Sequence, residues 1–261
     1  MCELLGMSAN VPTDICFSFA GLLERGGRTG PHRDGWGITF YEGKGCRSFK
    51  DPLPSCDSEI AHLVRRYPMK STAVIAHIRQ ANRGGVRLEN THPFIRPWWR
   101  RNLTFAHNGQ LSGFRQALPL EQGFQPIGAT DSEWAFCWLL QRLAQRYPKR
   151  PANMLTAFRY MARECQHLRA LGVYNMLLSD GVYLLAYCTS QLHWITRRAP
   201  FGKATLIDSD WVIDFEQETT DNDVVSVVAT RPLTQDEQWH SIPSGHWVVF
   251  KQGEIVARSR F

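Results

Sequence analysis

The sequence has no run of about 20 apolar residues, the length a membrane-spanning helix requires, so no membrane role is expected. Its opening residues, Met-Cys-Glu-Leu-Leu-Gly-Met-Ser, lack the basic and apolar regions of a secretory signal. The seven cysteines are odd in number and show neither Cys-x-x-Cys pairs nor zinc-ligand spacing. That argues against a disulfide framework and a bound metal, and free thiols in a reducing cytoplasm are expected. No low-complexity linker or internal repeat is present. Lys and Arg outnumber Asp and Glu by 30 to 24, a net charge of +6, yet the basic residues fall in scattered pairs such as Arg65-Arg66 and Lys149-Arg150. With no basic tract and no reading motif, no nucleic-acid partner is expected.

What is present is a chain of 261 residues, 43% hydrophobic and 21% charged, enough for a large buried core. Nothing marks a boundary, so one domain over 1–261 is expected. Apolar runs and turn residues predict strands at Leu4–Ala9, Gly35–Glu42, Thr72–Ile78 and Leu103–Ala106, the last ending at His107-Asn108-Gly109. Later strands are predicted at Tyr174–Ser179, Val182–Cys188, His193–Thr196, Val224–Ala229, His246–Lys251 and Glu254–Ala257. Helices are predicted at Asp14–Leu23, Ser58–Tyr67 (closed by Pro68), Ser132–Tyr147 and Ala152–Leu168. Thr130-Asp131-Ser132-Glu133 has capping-box spacing before the third helix. Trp98-Trp99-Arg100-Arg101 reads as a strand with amphipathic ends rather than an interaction surface. Helices in the first two-thirds and strands throughout predict an α+β fold with stacked antiparallel sheets and helices outside.

Six segments carry candidate chemistry. Cys2 becomes the first residue if Met1 is removed, and its α-amine, with an ordinary pKa of about 7.7–8.0, is then a suitable base for its own thiol. Alone, a cysteine here is as readily a buried apolar filler. Arg79, at the end of the Thr72–Ile78 run, can hold a carboxylate bidentately or simply lie on the surface. His92, in Asn90-Thr91-His92-Pro93-Phe94, is a hydrogen-bond donor or an ordinary loop residue. Asn108 and Gly109 form either a hairpin turn or an oxyanion hole of one side-chain amide and one backbone N–H. Asp131 opens a helix and can face an ammonium group. Arg33-Asp34-Gly35-Trp36-Gly37 reads as support beneath the nucleophile.

The order of these segments closely resembles the class II glutamine amidotransferases, a family of N-terminal nucleophile hydrolases. The shared pattern is an N-terminal Cys, then H-x-R-x-A, H-P, H-N-G, and an Asp opening a helix, all within residues 2–131. Residues 227–234 and 242–247 resemble the closing segments of small stand-alone members, the bacterial YafJ-type proteins and their yeast relatives. The resemblance implies a four-layer αββα sandwich. It implies Cys2 as nucleophile, Asn108 and Gly109 as oxyanion hole, Arg79 on the substrate α-carboxylate, Asp131 on the α-ammonium, and His92 as a pocket residue. No cofactor is implied. The substrate expected is glutamine or another γ-glutamyl compound. Within 261 residues, no ammonia-consuming domain of the kind larger members carry is expected. A stand-alone hydrolase is therefore expected, the alternatives being the ammonia-donating subunit of a separate synthase or a non-catalytic binding protein. Oligomeric state is left open.

Overall fold

Strands covered on both faces account for the weak polar alternation in the sequence. The computed structural model describes residues 2–67, 69–81, 84–215 and 220–261; Met1, and Pro68 expected to close a helix, lie outside the described residues. In chain order the elements are β1 (Glu3–Asp14), α1 (Cys16–Glu24), β2 (Trp36–Glu42), β3 (Gly45–Asp51), α2 (Glu59–Arg66), β4 (Lys70–Ile78), β5 (Phe94–Trp98) and β6 (Arg101–Leu111). Then follow α3 (Phe114–Ala117), α4 (Asp131–Arg146), α5 (Met154–Arg169), β7 (Gly172–Ser179), β8 (Tyr183–Cys188), β9 (His193–Arg198) and β10 (Lys203–Thr205). The last are β11 (Val212–Asp214), β12 (Val224–Ala229), β13 (His240–Ser241), β14 (His246–Lys251) and β15 (Glu254–Arg258).

Two antiparallel sheets result, ordered β13-β9-β12-β1-β4-β2-β3 and β15-β14-β8-β7-β6-β5, with β10-β11 as a separate hairpin. Their inner faces meet through Leu4, Ile75, Ala106, Leu177, Ala186, Val228 and Phe250. Successive side chains alternate across a strand. Leu5, Met7, Val74, Ala76 and Ile78 therefore face the other way, onto Phe19, Leu22 and Leu23 of α1 and Ala61 and Val64 of α2. Likewise Phe105, Met176 and Leu178 pack on Phe136, Leu139 and Leu140 of α4 and Phe158 and Met161 of α5. The layers are thus α, β, β and α, the expected sandwich.

The outer helices form for different reasons. In α1, Phe17–Glu24 are all buried; Ile15 offers no side-chain cap and Asp14 Oδ1 accepts from Cys16 N at 2.7 Å, so the helix depends mainly on packing. Phe19→Ala there costs about 3–5 kcal/mol. In α4, Thr130 Oγ1 accepts from Glu133 N at 3.2 Å, the predicted cap. The reciprocal half of the box is replaced: Glu133 accepts instead from Gly128 N at 2.7 Å and from Arg96. Among the described residues no helix is long and apolar enough to cross a membrane.

Two local expectations are corrected. His107-Asn108-Gly109 does not end a strand, because β6 continues to Leu111 with Asn108 opposite Asn175 and Gly109 opposite Tyr174. This removes the hairpin-turn alternative. Trp98-Trp99-Arg100-Arg101 is itself the hairpin: Trp98 pairs with Arg101, and Trp99 and Arg100 turn the chain at φ of 46° and 63°. Left-handed backbone at two non-glycine residues gives no sequence signal for such a turn.

Candidate active site

The site lies where the inner ends of β1, β4 and β6 meet the start of α4. Alternation from Leu4 places the Cys2 side chain on the inner face of its sheet, together with His77 and Arg79 of the neighbouring β4 segment. The β4 ladder reaches Glu3 opposite Ile78, so Cys2 lies one residue beyond it. There the thiol is gripped at both ends: Gln80 N donates to Cys2 Sγ at 3.3 Å, and Sγ donates to Gln80 O at 3.4 Å. Burial pushes the thiol above its ordinary pKa, opposed by the Gln80 backbone hydrogen bond and the Arg79 charge.

A small pocket opens over this thiol, lined by Cys2, Arg79, Gln80, Ala81, His92, His107, Gly109, Gln110 and the Thr130–Ser132 turn. Of the six predicted site residues, five line it. Asp131 is held firmly, accepting from Leu111 N at 2.7 Å through Oδ2 and from Ser132 N at 2.9 Å through Oδ1. That ties the first turn of α4 to the end of β6. Arg79 is buried, and its Nη atoms donate to the carbonyls of Gly84 (3.0 Å), Gly85 (3.1 Å) and Asp34 (3.3 Å). The guanidinium therefore also docks the 84–85 loop. Burial lowers its pKa, while Cys2, Asp34 and Asp131 hold it up.

Asn108 is the one predicted residue that does not line the cavity. Its side chain shares the inner face with Ala106 and is wholly buried. Neither Nδ2 nor Oδ1 has a hydrogen-bond partner among the described residues. Its register partner Asn175, equally buried, is the opposite case. Asn175 donates to Asn108 O at 3.1 Å and to Ser190 Oγ at 2.8 Å, and accepts from Thr189 N at 2.9 Å. Buried amides are ordinarily satisfied, so the unspent donor at Asn108 sets it apart from its neighbour. Next to it only glycine fits: a Cβ at Gly109 would lie 1.9 Å from Val173 O and 2.7 Å from His107 Nε2.

Three histidines, of which only His92 carries a predicted role, form one buried group. His77 and His92 pack at a tilt of 32° with ring centroids 4.1 Å apart, and His92 lies 4.4 Å from Phe94. His77 Nε2 donates to His107 O at 3.1 Å, which fixes its tautomer. His107 Nε2 donates to Val173 O at 3.3 Å, so its Nδ1 accepts from Ser132 Oγ at 2.8 Å. Both ring nitrogens of His92 are buried without a partner among the described residues. Burial drives the His77 pKa down to about 3 and lowers those of His92 and His107 as well. At neutral pH all three are uncharged. Their place in the His-x-Arg and His-Asn-Gly segments was the available signal for His77 and His107.

The Arg33–Ile38 segment is tied to the residues that follow β4. Asp34 Oδ2 accepts from Ala81 N at 2.7 Å, and Arg79 N donates to Gly35 O at 2.7 Å. A Cβ at Gly37 would lie 2.2 Å from His92 O, so this glycine lets the His92 loop close over the sheet. Ser132, Gln110 and Thr130 line the cavity without having been predicted to do so.

Comparison with known sequences decides the family, because the profile of the glutamine amidotransferases class-II matches residues 1–260. The chain belongs to the class II glutamine amidotransferases. It is 66% identical over 257 residues to a provisionally named glutamine amidotransferase, YafJ of Escherichia coli (strain K12), covering 98% of this chain and all of that one. A provisionally named glutamine amidotransferase of Haemophilus influenzae is 45% identical, over 98% of this chain and 86% of that one. The crystal structure of a predicted glutamine amidotransferase from Pseudomonas aeruginosa superposes with a TM-score of 0.77 at 49% identity, covering 98% of this chain and 100% of that chain. The glutamine phosphoribosylpyrophosphate amidotransferase of B. subtilis, 15% identical with a TM-score of 0.63, shares the fold over 99% of this chain and 49% of its own length.

Proposed function

We propose that a single domain over 1–261 hydrolyses γ-glutamyl amides, either glutamine or a γ-glutamyl compound, using Cys2 as an N-terminal nucleophile. The observation that carries this is the convergence of a backbone-gripped thiol, a buried guanidinium and a fixed carboxylate on one cavity. Arg79 takes the substrate α-carboxylate and Asp131 its α-ammonium, which selects the glutamyl half. His92 forms part of the pocket wall. Nδ2 of Asn108 and the backbone N–H of Gly109 serve the oxyanion.

The chemistry requires removal of Met1. The freed Cys2 amine then takes the thiol proton, directly or through a water. His77 competes poorly for that role, because an imidazole whose conjugate acid has a pKa of about 3 is a weak base at neutral pH, and burial weakens His92 and His107 as bases in the same direction. The thiolate attacks the γ-carbonyl carbon, forming a C–S bond and a tetrahedral oxyanion. The amine proton passes to the leaving nitrogen, the C–N bond breaks, and ammonia or an amine departs. Water then adds to the thioester, releasing glutamate and restoring the thiol. Burial keeps the Cys2 thiol protonated at rest, so the thiolate forms only as the amine takes its proton during attack.

The test is release of ammonia or amine from glutamine and a panel of γ-glutamyl amides by the isolated protein. Turnover without a partner, lost in Cys2→Ala with glutamate binding retained, is expected. Turnover appearing only with an added synthase assigns the chain to the ammonia-donating class, and undiminished turnover in Cys2→Ala refutes the mechanism.

A further inference from the structure

Next to the nucleophile lies a charged group with no part in the chemistry above. Glu3 follows Cys2 and by alternation points to the opposite face of the sheet. It is almost fully buried, 3% exposed. Oε2 accepts from Arg25 Nη1 at 3.0 Å; Oε1 accepts from Arg231 Nε at 3.0 Å and Nη2 at 2.7 Å. Arg25, 2% exposed, also donates to Asp208 Oδ2 at 2.7 Å, Pro232 O at 2.6 Å and Arg231 O at 3.3 Å. Two guanidinium groups and two carboxylates thus form a chain, Arg231–Glu3–Arg25–Asp208, joining the first residues to the end of α1 and to the segment after β12.

Its buried core, the Glu3–Arg25 pair, is a poor source of stability, because desolvation offsets most of the attraction. Its position suggests another role. Chain ends fray unless tied down. Here the β12 ladder reaches only Leu5, the β4 ladder only Glu3, and Leu4 is held by its N–H to Thr230 Oγ1 at 2.9 Å. Beyond them, Cys2 is held by the two thiol contacts to Gln80. The Glu3 carboxylate is the last side-chain anchor before the reacting sulfur.

We propose that Glu3, clamped by Arg25 and Arg231, is a positioning residue that sets the location of the N-terminal nucleophile. This rests on the function proposed above. A displacement of about 1 Å at a reacting atom can lower a rate about 100-fold, and loss of this clamp acts on the nucleophile without touching the glutamyl contacts.

The experiment measures Cys2 labelling by a diazoketone analogue of glutamine, on full-length protein whose Met1 removal is verified by intact mass. In Glu3→Gln, with cooperative unfolding retained, the saturating labelling rate is expected to fall about tenfold or more while half-saturation stays within about threefold. Glu3→Asp, which keeps the charge, is expected to recover part of the rate. A folded Glu3→Gln protein labelled at the parent rate overturns the proposal. A parent protein that is never labelled at Cys2 overturns the proposed function together with it. If Glu3→Gln does not fold, Arg231→Met decides: this side chain is 48% exposed, and Arg25 still holds Oε2. A drop of about threefold or more in rate supports the clamp, and an unchanged rate refutes it.

Discussion

Replacing Asn108 by leucine separates catalysis from stability, because the two paired asparagines of the second sheet are spent so differently. Asn108 and Asn175 face each other in register and are both 0% exposed. The Asn108 amide has no hydrogen-bond partner among the described residues, whereas Asn175 is bonded through both ends of its amide. Leaving a buried polar group unsatisfied costs about 1–3 kcal/mol, and replacing it with an apolar group of similar shape is neutral or stabilising. Asn108→Leu is therefore expected to hold or raise stability by about 1–2 kcal/mol, with a midpoint shift of about 2–4 °C per kcal/mol for a chain of this size. If the same amide donates to the oxyanion, kcat falls by about 100- to 1,000-fold, the usual loss for one such donor. Asn175→Leu is the control: it strands its partners and lowers stability by at least about 1–3 kcal/mol. Thermal unfolding and glutamate release, measured on the same samples, decide. An Asn108→Leu protein that is destabilised, or that keeps kcat within about threefold, refutes the assignment of this amide to the oxyanion.

Gly109→Ala must move the Val173 carbonyl, which would lie 1.9 Å from the new Cβ. Overpacking of this kind costs about 1–3 kcal/mol, and the shift of the backbone N–H should reduce kcat more than it changes KM, which steady-state kinetics will resolve. Acid sensitivity follows from the buried histidines. His77 has a folded pKa of about 3 against an ordinary 6.5, so the unfolded chain binds more protons between these values. Stability is full above pH 6.5 and falls as the pH is lowered toward 3, by up to about 1.4 kcal/mol per pH unit for this residue. His92 and His107 add to the same slope. Denaturant midpoints measured from pH 7 to pH 4 check it, and a flat profile contradicts neutral burial.

Much of this fold was legible because local chemistry and tertiary packing agree. The apolar run in β4, the Thr130 cap of α4 and the Val224–Ala229 and His246–Lys251 strands are examples. Where they disagree, the sequence misled. Asn-Gly is turn chemistry, but pairing with Tyr174 and Asn175 keeps it inside β6, and the approach of Val173 O makes the glycine obligatory. β3 is a largely polar edge strand without alternation, while β10, β11 and β13 are too short to show a period. Five of six predicted site residues meet at one cavity because motif order encodes which strand ends converge. Two features had no local signal. The difference between Asn108 and Asn175 depends on neighbours across the sheet, and the Glu3–Arg231 contact spans 228 positions.

In the proposed function Cys2, freed of Met1, is the reacting group of a glutamyl-recognising site. Intact-mass and peptide mapping after treatment with the diazoketone analogue of glutamine tests it most directly. The expected result is a chain that lacks Met1 and carries one adduct, on Cys2, with labelling slowed by excess glutamate. A retained Met1 in active protein, or labelling that spares Cys2 while turnover is lost, contradicts it.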